Sequence, residues 1–206
     1  MHRHRARSPL SSSPGLGHAV KAVLFLLLLA GCAAKPHPQL YHLGIPDPPL
    51  MQKKAGSPVL LLETSAIPRH LDRPQMVTRQ GGFQLVVHEH HRWSAPLDRL
   101  MRESLALRMD ARLPGFRVIP AELGPAYPPP ALRLRLQIID FSGDEKGEVR
   151  LSGMFSLEAP GKLPKEVPFD VRVFSTSIEP EALAASQSLA LDGLAEQLMA
   201  EVRNLF

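Results

Sequence analysis

The chain contains one cysteine, Cys32, and the residues before it restrict what the rest of the chain can fold into. Cys32 directly follows Leu29-Ala30-Gly31, which ends an uncharged, leucine-rich stretch over residues 22–30. Upstream of that stretch the charged side chains are all basic: Arg3, Arg5, Arg7 and Lys21. A basic segment, a short apolar segment and small residues at a cut site are the parts of a secretory signal peptide. A cysteine placed after Leu-Ala-Gly predicts, in addition, a bacterial lipoprotein signal.

The apolar stretch is too short to be a membrane span, because a transmembrane helix needs about 20 apolar residues. We therefore predict that residues 1–31 are a cleaved lipoprotein signal peptide and that Cys32 is the lipid attachment site. Once Cys32 is acylated, no thiol remains in the chain for a disulfide. The hydrophobic core must then supply the stability, although the protein would face an oxidising compartment.

Removal of the signal peptide changes the charge balance. The full chain has 24 Lys and Arg side chains against 20 Asp and Glu, and the four basic residues before Cys32 account for the difference. The predicted mature chain is therefore neutral. Its composition gives no evidence for binding nucleic acid, and we expect no nucleic-acid partner.

The mature chain divides into two parts by composition. Residues 32–57 are predicted to be a proline-rich tether, since prolines favour extended, semi-rigid chain, with a candidate first strand at residues 40–43. Residues 58–206 are long enough for one domain with a real core. We predict a single α+β domain there, with a twisted sheet of mixed or antiparallel strands and two main helices packed on one face.

Hydrophobic patterns place the elements of that domain. Strands are predicted at residues 58–63, 75–79, 83–88 and 116–119, and alternating apolar residues from Leu132 to Val173 predict an antiparallel meander of three more. Ser94 is predicted to cap a first helix that has Pro96 in its first turn. Glu179-Pro180-Glu181 is predicted to open a second, long helix, because acids and proline favour the first turn.

The histidine-rich segment His88-Glu89-His90-His91-Arg92 is the densest group of side chains that could carry chemistry. On a strand, His88 and His90 would point to one face and could hold a metal. The fifth position is Arg92 rather than the histidine of a His-Glu-x-x-His metalloprotease helix, so we interpret the segment as a polar strand end. We predict no catalytic residues, no metal and no cofactor, so an envelope hydrolase is the disfavoured alternative. Arg133 and Arg135 are interpreted as a solvated strand face rather than a docking surface.

Two sequence elements resemble a known family. The first is Leu71-Asp72-Arg73-Pro74-Gln75-Met76-Val77-Thr78-Arg79, and the second is Arg92-Trp93-Ser94-Ala95-Pro96-Leu97. Together with the lipoprotein signal, Tyr41-His42-Leu43, the meander and the alanine- and leucine-rich last helix, they resemble the ABC-type transport auxiliary lipoprotein component family, the PqiC/YmbA-like lipoproteins. The resemblance covers nearly the whole mature chain.

The resemblance implies a function but no catalytic residues. It implies a periplasm-facing lipoprotein that works with an MCE-domain transport protein and an associated ABC transporter, in systems that move lipids or other hydrophobic molecules between membranes. Ala33, rather than aspartate, follows Cys32, which favours the outer membrane as the site of the anchor. We also expect a homo-oligomer. The alternative is an outer-membrane assembly or chaperone lipoprotein, which would share the anchor and the α+β domain.

The residues shared with the family elements are expected to be mainly architectural, with an interface role as the alternative. They are Leu71, Asp72, Arg73, Pro74, Arg79, Arg92 and Trp93. We predict that Trp93 is largely buried at a strand-to-helix corner. We also predict that Arg73 or Arg79 pairs with Asp72 or with a nearby backbone carbonyl.

Overall fold

The structure is a computed structural model that describes residues 37–44 and 53–205. The predicted signal peptide, Cys32 and residues 33–36 and 45–52 of the predicted tether lie outside the described residues. The described chain from Pro38 onward forms one compact unit. Within the described ranges, no helix is both long enough and apolar enough to cross a bilayer.

Eight strands and two α-helices follow one another along this unit. The helices are α1 (Leu97–Arg112) and α2 (Pro180–Arg203), and a short 3-10 helix covers Ala121–Ala126. The strands are β1 (Gln39–Tyr41), β2 (Val59–Ala66), β3 (Gln75–Gln80), β4 (Gln84–Trp93), β5 (Arg117–Pro120), β6 (Leu132–Asp144), β7 (Glu148–Glu158) and β8 (Lys165–Phe174).

All eight strands belong to one mixed sheet, which confirms the predicted α+β class. The strand order is β1-β4-β3-β6-β2-β5, and β7 pairs with β6 and with β8. The hairpin β3–β4 and the meander β6–β7–β8 are antiparallel. The pairs β1–β4, β2–β5, β2–β6 and β3–β6 are parallel. One side of β6 therefore pairs first with β2 and then, near its end, with β3.

The alternating sequence of β6 places apolar side chains on one face of the sheet and charged side chains on the other. Leu132, Leu134 and Leu136 are fully buried in the main core, which also contains the apolar residues of both helices. The intervening Arg133 and Arg135 lie on the opposite face, where both donate hydrogen bonds to Glu63 of β2 at 2.8 and 2.7 Å. These arginines are thus ion-paired across neighbouring strands.

Helix α2 forms as the sequence predicts. Pro180 occupies its first turn and Glu179 its N-cap position. The apolar stripe is buried against the sheet: Leu183, Ala190, Leu191, Leu194, Leu198 and Val202. Because the spacing of these residues follows the 3.6-residue period, one face of the helix covers the core.

Helix α1 begins later than predicted. The N-cap residue is Pro96, without a side-chain hydrogen bond, and the helix starts at Leu97. The prediction that Ser94 caps this helix is therefore wrong. The amide of Ser94 instead donates a hydrogen bond to the carbonyl of Tyr41 at 2.8 Å, so this residue lies in the connection between β4 and α1 and is held against β1.

A buried arginine joins the two helices. Arg108 of α1 is 2% exposed, and it donates hydrogen bonds to Asp192 at 3.1 Å and to the hydroxyl of Ser188 at 2.7 Å, both on α2. Burial lowers the pKa of the Arg108 guanidinium, and the nearby Asp192 carboxylate opposes this effect. Because Arg108 is buried, removing its partners on α2 would leave an uncompensated charge in the interior, so this contact stabilises the packing of the two helices.

Two strand boundaries differ from the sequence interpretation. The strand predicted at 83–88 continues to Trp93, because its second half pairs with β1. Strand β6 continues as far as Asp144, into the polar segment 142–147 whose composition indicates a turn, because its last residues pair with both β3 and β7. Pro168, which has no amide to donate, lies in β8, and among the described strands β8 pairs with β7 alone, so this proline occupies an edge strand.

The packing of the meander leaves no room for a side chain at Gly153. A β-carbon at this position would collide with the carbonyl oxygen of Gln137 on β6 and would lie 2.9 Å from the ring of Phe169. We predict that Gly153→Ala lowers the free energy of unfolding by about 1–3 kcal/mol, because a backbone atom must move to admit the methyl group. Chemical denaturation measures this loss.

Gly115→Ala is the matched control for Gly153→Ala. A β-carbon there would meet no atom within 4 Å, and the backbone of Gly115 does not have a positive φ. We expect this variant to stay within about 0.5 kcal/mol of the wild type. Equal losses at the two positions would contradict the packing described for β7.

Candidate functional site

The structure brings together the two sequence elements that resemble the family. The amide of Trp93 donates a hydrogen bond to the carbonyl of Pro74 at 2.7 Å, and Gln75 pairs with Arg92 in the ladder between β3 and β4. Trp93 is also paired with Tyr41 of β1. We call this junction of β1, β3, β4 and the start of α1 the Trp93 corner.

Some residues at this corner are buried in the core, and others are exposed on the surface. Trp93 and Leu71 are buried, at 5% and 3% exposure, and both belong to the main core. The turn before β3 is held by the carbonyl of Pro68, which accepts hydrogen bonds from the amides of Leu71 and Asp72. The side chains of Asp72, Arg73 and Pro74 are exposed. The buried pair holds the corner together, and the exposed residues form its surface.

Arg79 lies farther along β3 and forms an ion pair with Asp140 of β6 at 3.0 Å. For Arg79, the predicted pairing with Asp72 or a backbone carbonyl is therefore wrong. The reason is topological, since β3 lies parallel to the end of β6, with Arg79 opposite Asp144 in the register. Local spacing in the sequence contains no information about this long-range pair.

The histidines of β4 are arranged differently from a regular strand. The ladder between β3 and β4 shifts between Gln75 and Met76, so residues 89–91 bulge away from β3. As a result, the rings of His88 and His91 lie 6.1 Å apart, and His90 is exposed. Because a bulge changes which residues share a face, His91 is a ring neighbour of His88 although an odd number of positions separates them. His91 contacts the hydroxyl of Tyr41 at 2.9 Å.

A groove on the opposite side of the sheet from the two α-helices is the second candidate site. It has a volume of about 580 Å³ and lies between the β3–β4 hairpin and the meander. Three of its residues are large and exposed: Phe83 at 100%, Ile139 at 59% and Leu85 at 43%. We call it the outer-face groove and define it by Arg79, Phe83, Leu85, Ile139, Asp140 and Arg150.

The charged residues in and beside the outer-face groove are paired with one another. Arg150 donates hydrogen bonds to both carboxylate oxygens of Asp170, at 3.1 and 2.8 Å. These bonds, together with those from Arg172, lower the pKa of Asp170 to about 2. The groove therefore combines exposed apolar side chains with a rim of neutralised ion pairs, which suits contact with a protein surface better than capture of a small ion.

Sequence reasoning missed the outer-face groove. Its signal was the adjacent pair Ile138-Ile139, which breaks the alternation of β6. The ladder between β6 and β7 shifts between Ile138 and Asp140, so Ile138 is buried while Ile139 is exposed on the outer face. In residues 37–44 and 53–205, the structure contains no group of three or more His, Cys, Asp or Glu side chains placed to hold a metal ion.

Comparison with known proteins adds the decisive observation. The model of the ABC-type transport auxiliary lipoprotein component family matches residues 41–199, which include both elements of the Trp93 corner. The chain belongs to this family. The match confirms the resemblance inferred from the sequence, and the family consists of transport auxiliary lipoproteins rather than enzymes.

Curated relatives and solved structures agree with this assignment. The chain is 28% identical over 141 residues to the intermembrane transport lipoprotein PqiC of Escherichia coli strain K12, across 68% of this chain and 73% of the relative, and equally to PqiC of Shigella flexneri. The fold matches a crystal structure of an uncharacterised protein with a TM-score of 0.68 at 19% identity, over 81% of this chain and 99% of that one. A Xanthomonas campestris protein matches with a TM-score of 0.61 at 17% identity, over 82% and 100% of the respective chains.

We predict that Trp93→Ala lowers the free energy of unfolding by about 3–5 kcal/mol, because a large buried side chain is removed from the corner. Thermal and urea denaturation measure the loss. Phe83→Ala is the matched control, since its ring is fully exposed, and we expect it to change stability by less than about 0.5 kcal/mol. A Trp93→Ala domain with wild-type stability would show that the corner is not architectural.

The His88 site predicts a pH dependence of stability. Burial and, secondarily, the nearby His91 ring lower the pKa of His88, whose ring also contacts the hydroxyl of Thr78 at 3.0 Å. The unfolded chain then binds a proton more readily than the folded one. The contribution of His88 to the free energy of unfolding is fully present above the pKa of histidine in the unfolded chain, about 6.5. This contribution declines as the pH falls below that value towards the lower pKa of His88 in the folded protein.

We expect His88→Gln to reduce the loss of thermal stability between pH 7 and pH 5. His90→Gln, at the exposed neighbouring position, should keep the wild-type pH dependence. Identical melting-temperature profiles for His88→Gln and the wild type would contradict the assigned role of His88.

Proposed function

We propose that this lipoprotein is the auxiliary component of an MCE- and ABC-type system that moves lipids or other hydrophobic molecules between membranes. The observation that carries the proposal is the family match over residues 41–199, supported by similarity to a protein named as an intermembrane transport lipoprotein. In this proposal the protein has no catalytic role. It positions its transport partner at a membrane.

The proposal includes an anchor in the outer membrane. Residues 1–31 would be removed as the signal peptide, and Cys32 would carry the lipid. Several acyl chains, at about 0.8 kcal/mol per buried CH₂ group, would hold the protein on the membrane almost irreversibly. Ala33 supports the outer membrane over the inner one, and the folded domain would face the periplasm.

The outer-face groove is the proposed docking surface for the MCE-domain partner. Phe83, Leu85 and Ile139 expose apolar area around a groove whose charged rim is already neutralised. Exposed apolar clusters with a polar rim are typical of protein interaction sites. Several copies of the chain, arranged as a homo-oligomer, would present several such grooves to one partner assembly.

We predict that Phe83→Asp and Ile139→Asp each weaken binding of the MCE-domain partner by roughly 30-fold or more, which corresponds to about 2 kcal/mol. A charge would replace an apolar side chain that the partner covers, whereas the fold should tolerate it because both positions are exposed. Leu163→Asp is the matched control. Leu163 is 92% exposed and lies in the turn between β7 and β8, outside the groove. The Leu163→Asp variant should therefore bind the MCE-domain partner with unchanged affinity. Purified components and a titration assay give the dissociation constants.

Epistasis tests the pathway itself. Deletion of this gene should sensitise the envelope to detergents, and deletion of the MCE-domain gene should do the same. The double deletion should be no worse than either single deletion. A clearly more sensitive double mutant would place the two proteins in separate pathways and would contradict the proposed function.

A further inference from the structure

A second groove lies at the edge of the sheet where β1 pairs with β4. It has a volume of about 600 Å³ and runs between β1 and α2, among Leu40, Tyr41, Glu181, Ala185, Ser188 and Leu189. Two of these residues expose large apolar side chains, Leu40 at 65% and Leu189 at 57%. We call it the tether-side groove. It shares β1 with the Trp93 corner and has no lining residue in common with the outer-face groove.

The short chain between β1 and the proposed anchor limits how far this groove can lie from the membrane. Only six residues, 33–38, separate Cys32 from Gln39, the first residue of β1. Seven peptide units span at most roughly 25 Å when fully extended. Because β1 is hydrogen-bonded to β4 from Gln39 to Tyr41, the chain cannot gain further reach by peeling away without breaking the sheet.

We propose that the tether-side groove rests on the lipid–water interface of the membrane that holds the anchor, with Leu40 and Leu189 inserted among the lipid headgroups. The proposal rests on the lipid attachment at Cys32 proposed above. The short link keeps the edge carrying β1 close to the bilayer, and the two leucines are the exposed large apolar side chains that line the groove there.

The charges around the groove specify the kind of lipid surface. Glu181 lies in the groove wall, and Glu179 precedes it at the start of α2. Two carboxylates at this edge disfavour a strongly anionic surface. Contact through leucines instead suits a zwitterionic interface, where apolar side chains contribute most of the binding energy. We therefore expect the contact to be insensitive to salt.

A single labelling site tests the proposal, because the chain has no cysteine other than Cys32, whose sulfur would be blocked by the lipid. The full lipidated chain is prepared as Leu189→Cys, labelled with a nitroxide and reconstituted into phosphatidylcholine vesicles. Power-saturation spectroscopy compares collisions with oxygen, which concentrates in the lipid, with collisions with a water-soluble nickel chelate. The collision ratio for the Leu189 position should shift towards oxygen and should not change with salt concentration.

Two controls use exposed positions outside the groove. Labels at Leu163→Cys, in the β7–β8 turn, and at Phe174→Cys, at the end of β8, should collide mainly with the nickel chelate. A Leu189 label that is as accessible to nickel as these controls would overturn the proposal. A Leu189 label shielded from both reagents would also overturn it and would indicate that a protein covers the groove.

Vesicle flotation separates failure of this inference from failure of the anchor. The wild-type protein should float with the vesicles, and Cys32→Ser should not. If the wild type fails to float, the lipid attachment at Cys32 is wrong, and the groove proposal fails with it. If it floats while the Leu189 label reports water, the anchor stands and only the orientation of the domain is wrong.

Discussion

The hydrogen bonds around Trp93 hold the N-terminal strand to the rest of the domain. The amide of Trp93 bonds to Pro74, and the next amide, of Ser94, bonds to Tyr41 of β1. The buried indole sits in the same core as Leu71 and the first residues of α1. Because the strand β1 has only three residues, it would be marginal alone, and the buried corner beside it supplies the stability that keeps it paired.

This arrangement links the proposed anchor to both proposed binding surfaces. Strand β1 leads from the tether into the Trp93 corner, and the tether-side groove lies beside it. The outer-face groove lies elsewhere on the sheet, between the β3–β4 hairpin and the meander. In our account, the first surface contacts the membrane and the second contacts the transport partner. A firmly paired β1 would let a force on the partner reach the anchor through the sheet rather than through loose chain.

The sequence predicted the parts of the fold that depend on local periodicity. The alternation along β6 and the apolar stripe of α2 each identify an element and its buried face. The burial of Trp93 followed from its place between a strand and a helix. These predictions succeeded because neighbouring residues alone determine which side of a strand or helix is apolar.

The parts that the sequence did not predict depend on contacts between distant segments. The bulge that brings His88 near His91 and the shift that exposes Ile139 both lie at register changes between paired strands. The pairing of Arg79 with Asp140 requires the parallel contact between β3 and β6. Ser94 is not the helix cap because the helix begins three residues later, at Leu97 after Pro96. The outer-face groove left one trace in the sequence, the break in alternation at Ile138-Ile139, and that trace alone does not show which distant strands form the groove.

Amide hydrogen exchange at Trp93 and Ser94 tests the central claim, that β1 is firmly joined to the domain at the Trp93 corner. The account predicts that both amides exchange as slowly as the core amides of β6 and β7, through global unfolding only. The Ser94 amide is the critical probe, because Tyr41 of β1 accepts its hydrogen bond. If Ser94 exchanged much faster than Trp93 and the core strands, β1 would open on its own. The anchor would then be connected to the domain by loose chain, which would contradict the account.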